Sequence, residues 1–260
     1  MTTKNPLQRL ADFGQSVWND NLSRRLITSG ELQSLIDNDG VVGITSNPTI
    51  FDAAISKSND YEDQIRELVQ AGRSAEEIAE ALMITDIQNA CDILRPVYEA
   101  TNGVDGVVSL EVSPLLAHNT EETLSEARRL YRLVERENVM IKIPGTEAGI
   151  PAIEQALYEG ININITLLFS LDAYRAVMEA YLRAMERRLA DGKSLDNVLS
   201  VASFFVSRVD TEVDKRLQAI IDREPDSERA KTARALLGQV AIANARLAYQ
   251  EFKKVFGSQR

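Results

Sequence analysis

The amino-acid sequence predicts an α/β fold with a parallel sheet. Six short apolar runs have the length and composition of strands, and segments with helical periodicity lie between them. The runs carry polar residues at period two, at or near their carboxyl ends. Because successive strand side chains point to opposite faces, these polar groups should meet on one side of the sheet.

The first two runs end in polar groups. Residues 16–20 finish at the carboxylate of Asp20, and residues 43–48 place the amide of Asn47 near their end. Asp20 could instead cap a helix that begins near Leu22, and Asn47 could be an ordinary turn residue. The sequence alone leaves both interpretations open.

The third and fourth runs carry charged groups where aliphatic ones are usual. In residues 105–112, Glu111 faces away from the aliphatic side, and an unpaired carboxylate inside a barrel would be costly. In residues 138–145, Lys142 stands where a parallel strand normally has another Val or Ile. A buried ammonium finds a partner or loses its proton, and a neutral amine attacks carbonyl carbons. Lys142 therefore indicates Schiff-base chemistry, although a lysine that protects an edge strand would also fit.

The last two runs present amides and hydroxyls. They are residues 162–166 and 201–205, and the groups on their polar faces are those of Asn164, Thr166 and Ser203. Arg208 lies just beyond the sixth run. Ser203 could be a small core residue, and Arg208 could form an ion pair with Asp210 or Glu212 on a helix surface.

The segments between the runs carry helix signals. Ser74 begins a capping box, and Thr120 and Ser170 are predicted N-caps of the next helices. After Pro225, a helical run rich in Ala, Leu, Lys and Arg extends to about Phe256. The alternation of strand and helix is therefore sustained along the chain.

Two parallel architectures fit this alternation, an open doubly wound sheet and a closed barrel. The open sheet often has a Gly-rich turn after its first strand, and the sequence contains neither G-x-G-x-x-G nor a P-loop motif. A barrel gathers functional groups from the carboxyl ends of many strands, which is the pattern found here. We therefore predict a (β/α)8 TIM-barrel type of fold.

A single domain, residues 1–260, is the simplest organisation, because the sequence has no repeat, linker or low-complexity tract. About six of the eight strands of a complete barrel are present, so the sequence predicts a barrel that is truncated at its C-terminus. An open arc of strands would expose two edges that invite pairing with another chain. A homo-oligomer would cover them.

Composition indicates a cytoplasmic enzyme. The net charge of −10 argues against nucleic-acid binding. The polar N-terminus is unlike a signal peptide, and no apolar run approaches the roughly 20 residues that cross a membrane. Cys91 and His118 are the only residues of their kinds, which excludes an intrachain disulfide, a thiolate metal cluster and a multi-histidine metal site.

Three segments, residues 43–49, 141–149 and 160–170, resemble the signature segments of the transaldolases, and the resemblance runs in order from about Leu10 to the end of the chain. It implies a metal-free class I aldol mechanism without a cofactor. The implied activity, part of the pentose phosphate pathway, transfers a dihydroxyacetone unit from sedoheptulose 7-phosphate or fructose 6-phosphate. The acceptors would be glyceraldehyde 3-phosphate or erythrose 4-phosphate.

The resemblance also assigns roles to residues. The catalytic set is Lys142, Asp20, Glu111 and Thr166. Lys142 would attack the C2 ketone, Asp20 would take the C4 hydroxyl proton, and Glu111 would act through an ordered water on the carbinolamine. The groups that contact the bound dihydroxyacetone unit would be those of Asn47, Asn164, Thr166 and Ser203. Arg208 would bind the substrate phosphate.

Two other functions stay open. One is a related class I aldolase that releases dihydroxyacetone instead of transferring it. The other is an inactive fragment that keeps these residues only by descent.

Overall fold

A computed structural model describes residues 4–257. In this part of the chain six strands form one parallel sheet in sequence order, so each strand lies beside the next along the chain. The strands are β1 (Val17–Asn19), β2 (Val41–Thr45), β3 (Val107–Glu111), β4 (Val139–Pro144), β5 (Ile163–Leu168) and β6 (Ser200–Phe204). The predicted α/β class and number of strands are confirmed, and the sheet curls as a barrel of the TIM type does without two of its strands.

Helices connect the strands and cover the outer face of the sheet. They are α1 (Arg24–Thr28), α2 (Glu31–Asp39), α3 (Pro48–Ser56), α4 (Glu62–Gln70), α5 (Ala75–Ala100), α6 (Thr120–Val134), α7 (Gly149–Glu159), α8 (Leu171–Ala190), α9 (Ser207–Arg223), α10 (Glu228–Leu236) and α11 (Val240–Phe256), with 3-10 turns at Gln8–Phe13 and Pro114–Leu116. None of the described helices combines the length and apolarity that crossing a bilayer requires.

Helix starts follow the predicted caps with one exception. Ser74 forms its capping box with Glu77, and the Ser170 hydroxyl accepts the Ala173 N–H in the first turn of α8 at 3.2 Å. The prediction for Thr120 is wrong, because Asn119 caps α6 with an oxygen that accepts the Glu122 N–H at 3.1 Å. The Thr120 hydroxyl is committed elsewhere, since it donates to the Ala148 carbonyl at 2.6 Å.

The helical run after Pro225 is two helices and not one. The helix α10 ends at Leu236 and α11 begins at Val240. Between them Gly238 has a left-handed backbone with φ +67°, and its N–H donates to the Asp214 carboxylate at 3.0 Å. A glycine in this conformation stops a helix without a Cβ clash, so the break is local.

The aliphatic layer between sheet and helices is the core. Fully buried side chains from the sheet, such as Ile44, Val108 and Ile141, meet Leu94 and Leu157 from the helices there. Burial decreases toward the edges: all six residues of β4 are buried, whereas all five of β6 are half-buried. The other face of the sheet carries a smaller apolar cluster around Val107 and Met140, and its polar side chains lie nearer the carboxyl ends of the strands.

Candidate active site

The predicted functional residues meet at a cavity of about 950 Å³ at the carboxyl ends of the strands. Seven of the eight line it: Asp20, Asn47, Glu111, Lys142, Thr166, Ser203 and Arg208. The eighth, Asn164, is buried on β5 and hydrogen-bonded to Ser203. Parallel strands bring their carboxyl ends to one side of a sheet, which explains how residues far apart in the sequence share this cavity.

Lys142 is the most buried charged group at this cavity. It lies on the central strand β4 with 7% of its surface exposed, so it is not an edge-strand lysine. Its Nζ donates to the Ser46 carbonyl at 3.1 Å and lies 3.3 Å from the Glu111 carboxylate. Glu111 and Lys142 are partners in the pairing of β3 with β4, which keeps the two side chains adjacent on the same face.

Glu111 is held in an environment that opposes its charge. Burial raises the pKa of its carboxyl, while the charges of Lys142 and Arg208 act in the opposite direction. The carboxyl therefore retains a proton to higher pH than an ordinary glutamate does. Such a group can exchange protons with a neighbour, which is the property that an acid–base catalyst needs.

A chain of hydrogen bonds runs across the floor of the site. The Ser203 hydroxyl donates to the Asn164 amide oxygen at 2.9 Å, and the Asn164 NH₂ donates to the Ser109 hydroxyl at 3.0 Å. These contacts link β6, β5 and β3 and fix the orientation of the Asn164 amide. Ser203 is therefore more than a small core residue.

Asp20 was a possible helix cap and Asn47 a possible turn residue, and the structure treats the two alternatives differently. Ser23, and not Asp20, caps α1, which leaves the exposed Asp20 carboxylate at the cavity. Asn47 does serve as a cap, because its side-chain oxygen accepts the Ile50 N–H at 3.0 Å. Its NH₂ group is not used by the cap, so Asn47 can stabilise α3 and contact a ligand at once.

Arg208 lies at the mouth of the cavity as the second residue of α9. Its guanidinium group is 4.7 Å from the centre of the Phe205 ring, and it forms no ion pair with Asp210 or Glu212. Glu212 instead bonds to Arg216, and Asp210 accepts the Ala241 N–H at 3.1 Å. The ion-pair interpretation is wrong, and the guanidinium is available to an anion.

The structure adds two residues to the site that the sequence analysis did not assign to it. Thr45 lines the cavity, and its buried hydroxyl has no hydrogen-bond partner among the described residues. Ser109 is fully buried and orients Asn164. The period-two pattern could have identified Thr45, which shares its face with Asn47, and Ser109, which shares its face with Glu111.

Comparisons with known proteins agree with this geometry. The family described as Transaldolase/Fructose-6-phosphate aldolase matches residues 17–259. Transaldolase 2 of Nostoc sp. strain PCC 7120 is 53% identical over 258 residues, which cover 98% of this chain and 68% of that protein. The transaldolase of Thermobifida fusca is 54% identical over 255 residues, with 98% and 67% covered.

A third relative, the transaldolase of Saccharopolyspora erythraea, is 50% identical over 260 residues, which cover 100% of this chain and 68% of that protein. The match extends through every strand of the sheet and through the residues that line the cavity. The predicted family is confirmed, and so is the prediction of an enzyme, a transferase: the chain belongs to the transaldolase/fructose-6-phosphate aldolase family.

Proposed function

We propose that this protein is a transaldolase that carries a dihydroxyacetone unit as a Schiff base on Lys142. The observation that carries the proposal is the pairing of Lys142 with Glu111 at 3.3 Å on the two central strands, at the bottom of a polar cavity. A buried amine beside a carboxyl of raised pKa can pass its proton on and attack a ketone.

In the first step, the Lys142 amine attacks the C2 carbonyl of a ketose phosphate and forms a carbinolamine. Before the attack Glu111 takes a proton from Lys142, and during it an N–H proton of the amine passes to the C2 oxygen to form the hydroxyl. Protonated Glu111 then gives its proton to that hydroxyl, which leaves as water and leaves an iminium at C2. The Ser46 carbonyl fixes Nζ on the cavity side of β4, so the nucleophile is aimed before the ketose arrives.

In the second step, the C3–C4 bond breaks. Asp20 takes the proton of the C4 hydroxyl, C4 becomes the carbonyl carbon of the departing aldose phosphate, and the bonding electrons pass to the iminium as an enamine. Asp20 suits this role because it lines the same cavity just after β1, two strands along the sheet from the β3 strand that carries Glu111. Two separate carboxylates let one group serve dehydration and the other serve cleavage.

In the third step, the enamine stays bound to Lys142 until an acceptor aldehyde enters the cavity. The hydrogen-bonded Asn164 and Ser203 supply fixed polar groups for the hydroxyls of the bound unit, and Thr166 and Asn47 line the same cavity. Carbon–carbon bond formation with the acceptor reverses the second step, and hydrolysis of the new Schiff base releases the product. Water is consumed only in this last hydrolysis.

The substrate phosphate is the remaining group to place. The chain has a net charge of −10, so a sugar phosphate needs a local positive group to enter. Arg208 at the cavity mouth offers its guanidinium fork, which suits phosphate geometry. We assign it to the phosphate of the ketose.

Borohydride trapping with fructose 6-phosphate, followed by peptide mapping, tests the proposal. The expected result is a reduced three-carbon adduct on Lys142, lost in Lys142→Met and kept in Lys215→Met, a change of an exposed lysine on α9. An adduct on another lysine, or none on folded protein, would refute the mechanism.

The second candidate is an aldolase that releases dihydroxyacetone. The description of the matched family supports this candidate, because it names fructose-6-phosphate aldolase beside transaldolase. The two functions differ in their need for an acceptor. A transaldolase should consume fructose 6-phosphate rapidly only when an acceptor such as glyceraldehyde 3-phosphate is present. Equal rates with and without the acceptor, together with free dihydroxyacetone, would favour the aldolase.

A further inference from the structure

The backbone of Leu167, within β5, has an unusual conformation. Its φ is +60°, in the left-handed region. Among the described non-glycine residues, the others with positive φ are Asn102, Glu135 and Asn197, which lie outside the strands. An apolar L-residue does not adopt this conformation readily, because its Cβ crowds the following carbonyl.

The pairing of β5 with β6 shows what the unusual backbone does. Ile165 pairs with Ala202, and the next pair joins Leu168 to Phe204. Three steps along β5 therefore correspond to two steps along β6, which is the signature of a β-bulge with one extra residue. Leu167, with its left-handed backbone, is that residue.

The carbonyl directions show that the bulge reverses the alternation of the strand. The Asn162 and Thr166 carbonyls accept from the β4 side, from the N–H groups of Ile141 and Gly145, both at 2.8 Å. In an unbroken strand the Leu168 carbonyl would point the same way. It accepts instead from the Phe205 N–H on the β6 side at 2.8 Å.

The side chains follow the same reversal. Thr166 and Leu167 both line the cavity, although they are consecutive residues. Leu168 is fully buried in the aliphatic layer under the helices. Without the bulge, Leu168 would share the face of Asn164 and Thr166, where a leucine side chain would fill space that the cavity keeps open for a ligand.

We propose that Leu167 is a positioning residue of the active site: its left-handed backbone aims the Thr166 hydroxyl at the bound ketose and keeps Leu168 out of the cavity. This role rests on the proposed function. It belongs to the backbone of residue 167 more than to its side chain, so residues that accept positive φ should preserve it. Residues that resist positive φ should not.

The test compares Leu167→Gly and Leu167→Asn with Leu167→Val. Glycine and asparagine accept the left-handed region, whereas β-branched valine resists it while keeping an apolar side chain. We expect kcat for transfer from fructose 6-phosphate to be lower in Leu167→Val than in Leu167→Gly by about tenfold or more. Ile165→Val, on the helix-facing side of the same strand, is the control for loss of a methylene.

A double-mutant comparison tests whether residue 167 acts through Thr166. In a Thr166→Val background, the difference between the valine and glycine variants at 167 should shrink to within about threefold, because residues that act as a unit are not additive. An undiminished difference would show that the bulge does not act through Thr166. Equal activities of the valine and glycine variants would overturn the positioning role altogether.

Stability separates this proposal from the proposed function. The urea midpoint of Leu167→Val should fall below that of Leu167→Gly whether or not the protein is active, and the reverse order would refute the bulge. If the unchanged protein forms no adduct on Lys142, the proposed function fails and the positioning role fails with it. An adduct together with equal activities of the 167 variants removes only the positioning role.

Discussion

Glu111 and Lys142 face each other across neighbouring strands, and each explains why the other is tolerated inside the sheet. Removing one partner of a buried pair leaves the other charge without compensation. The pair is therefore an acid–base unit whose behaviour with pH can be predicted from its surroundings.

The acid limb of the activity profile should report Glu111. Burial raises the pKa of this carboxyl above the ordinary value of 4.5. Below its pKa, Glu111 is protonated and cannot accept the proton of Lys142, so kcat/KM should fall with a midpoint above 4.5. Glu111→Gln should remove this titration and lower kcat by about 10² to 10⁴.

Glu212→Gln is the matched control, since Glu212 is exposed and pairs with Arg216 on the surface of α9. Its pH profile should equal that of the unchanged protein. A Glu111→Gln variant that keeps both the acid limb and the rate would contradict the assigned role.

Arg208 should affect binding more than chemistry. Loss of a charged hydrogen-bonding group from the phosphate site should raise KM for fructose 6-phosphate by about tenfold to a hundredfold in Arg208→Ala. The rate with unphosphorylated fructose at a saturating acceptor concentration should change little. Arg216→Ala, two turns along the same helix, should leave both constants as they are, and an equal loss in that variant would count against a specific phosphate site.

A buried polar cluster joins the helices α1 and α5. Asp86 of α5 is fully buried, accepts from Arg24 of α1 at 2.9 Å, and accepts from the Tyr61 hydroxyl at 2.8 Å. Burial raises the pKa of the Asp86 carboxyl, and hydrogen bonds from Tyr61 and Arg24 oppose this. The cluster holds α1, which begins four residues after Asp20, against α5.

Asp86→Asn should destabilise the protein by about 2 kcal/mol, because it removes a charged partner from buried hydrogen bonds. The control is Asp92→Asn on the same helix, where the Asp92 carboxylate pairs with Arg136 at the surface. That variant should cost about 0 to 1 kcal/mol. Urea unfolding measures both, and equal effects would mean that the buried cluster contributes no more than a surface ion pair.

The sheet of the described residues has two edges, β1 and β6, that do not pair with each other. Beside β6, side chains of α11 form an apolar surface on which Tyr249, Phe252 and Phe256 are between 39% and 56% exposed. Unpaired strand edges next to apolar surface favour pairing with another chain. Homo-oligomer formation stays a prediction from the sequence, and these features support it.

We expect concentration-dependent self-association in light scattering after size-exclusion chromatography. Ser200→Lys should weaken it, because a lysine on an edge strand opposes pairing. Ala219→Lys adds the same charge on the exposed surface of α9 and should not. A protein that stays monomeric at every concentration, or an equal effect of the two variants, would contradict association through the β6 edge.

Local patterns were enough to predict the α/β class, the six strands, the polar groups at their ends and seven of the residues that line the cavity. They succeeded because the alternation of side chains along a strand is a property of the backbone itself. The same assumption hides the bulge at Leu167, where alternation reverses, and local propensity misplaced the cap of α6 by one residue.

Only the folded chain brings the catalytic neighbours together. The register of β3 with β4 pairs Glu111 with Lys142, and the Ser46 carbonyl that accepts a hydrogen bond from the Lys142 Nζ lies 96 positions away in the sequence. Contacts of this range depend on how strands are aligned and on how helices pack over them. A periodic sequence pattern predicts which face of the sheet a residue occupies. The burial that raises the pKa of Glu111, however, exists only once the sheet has folded around that side chain.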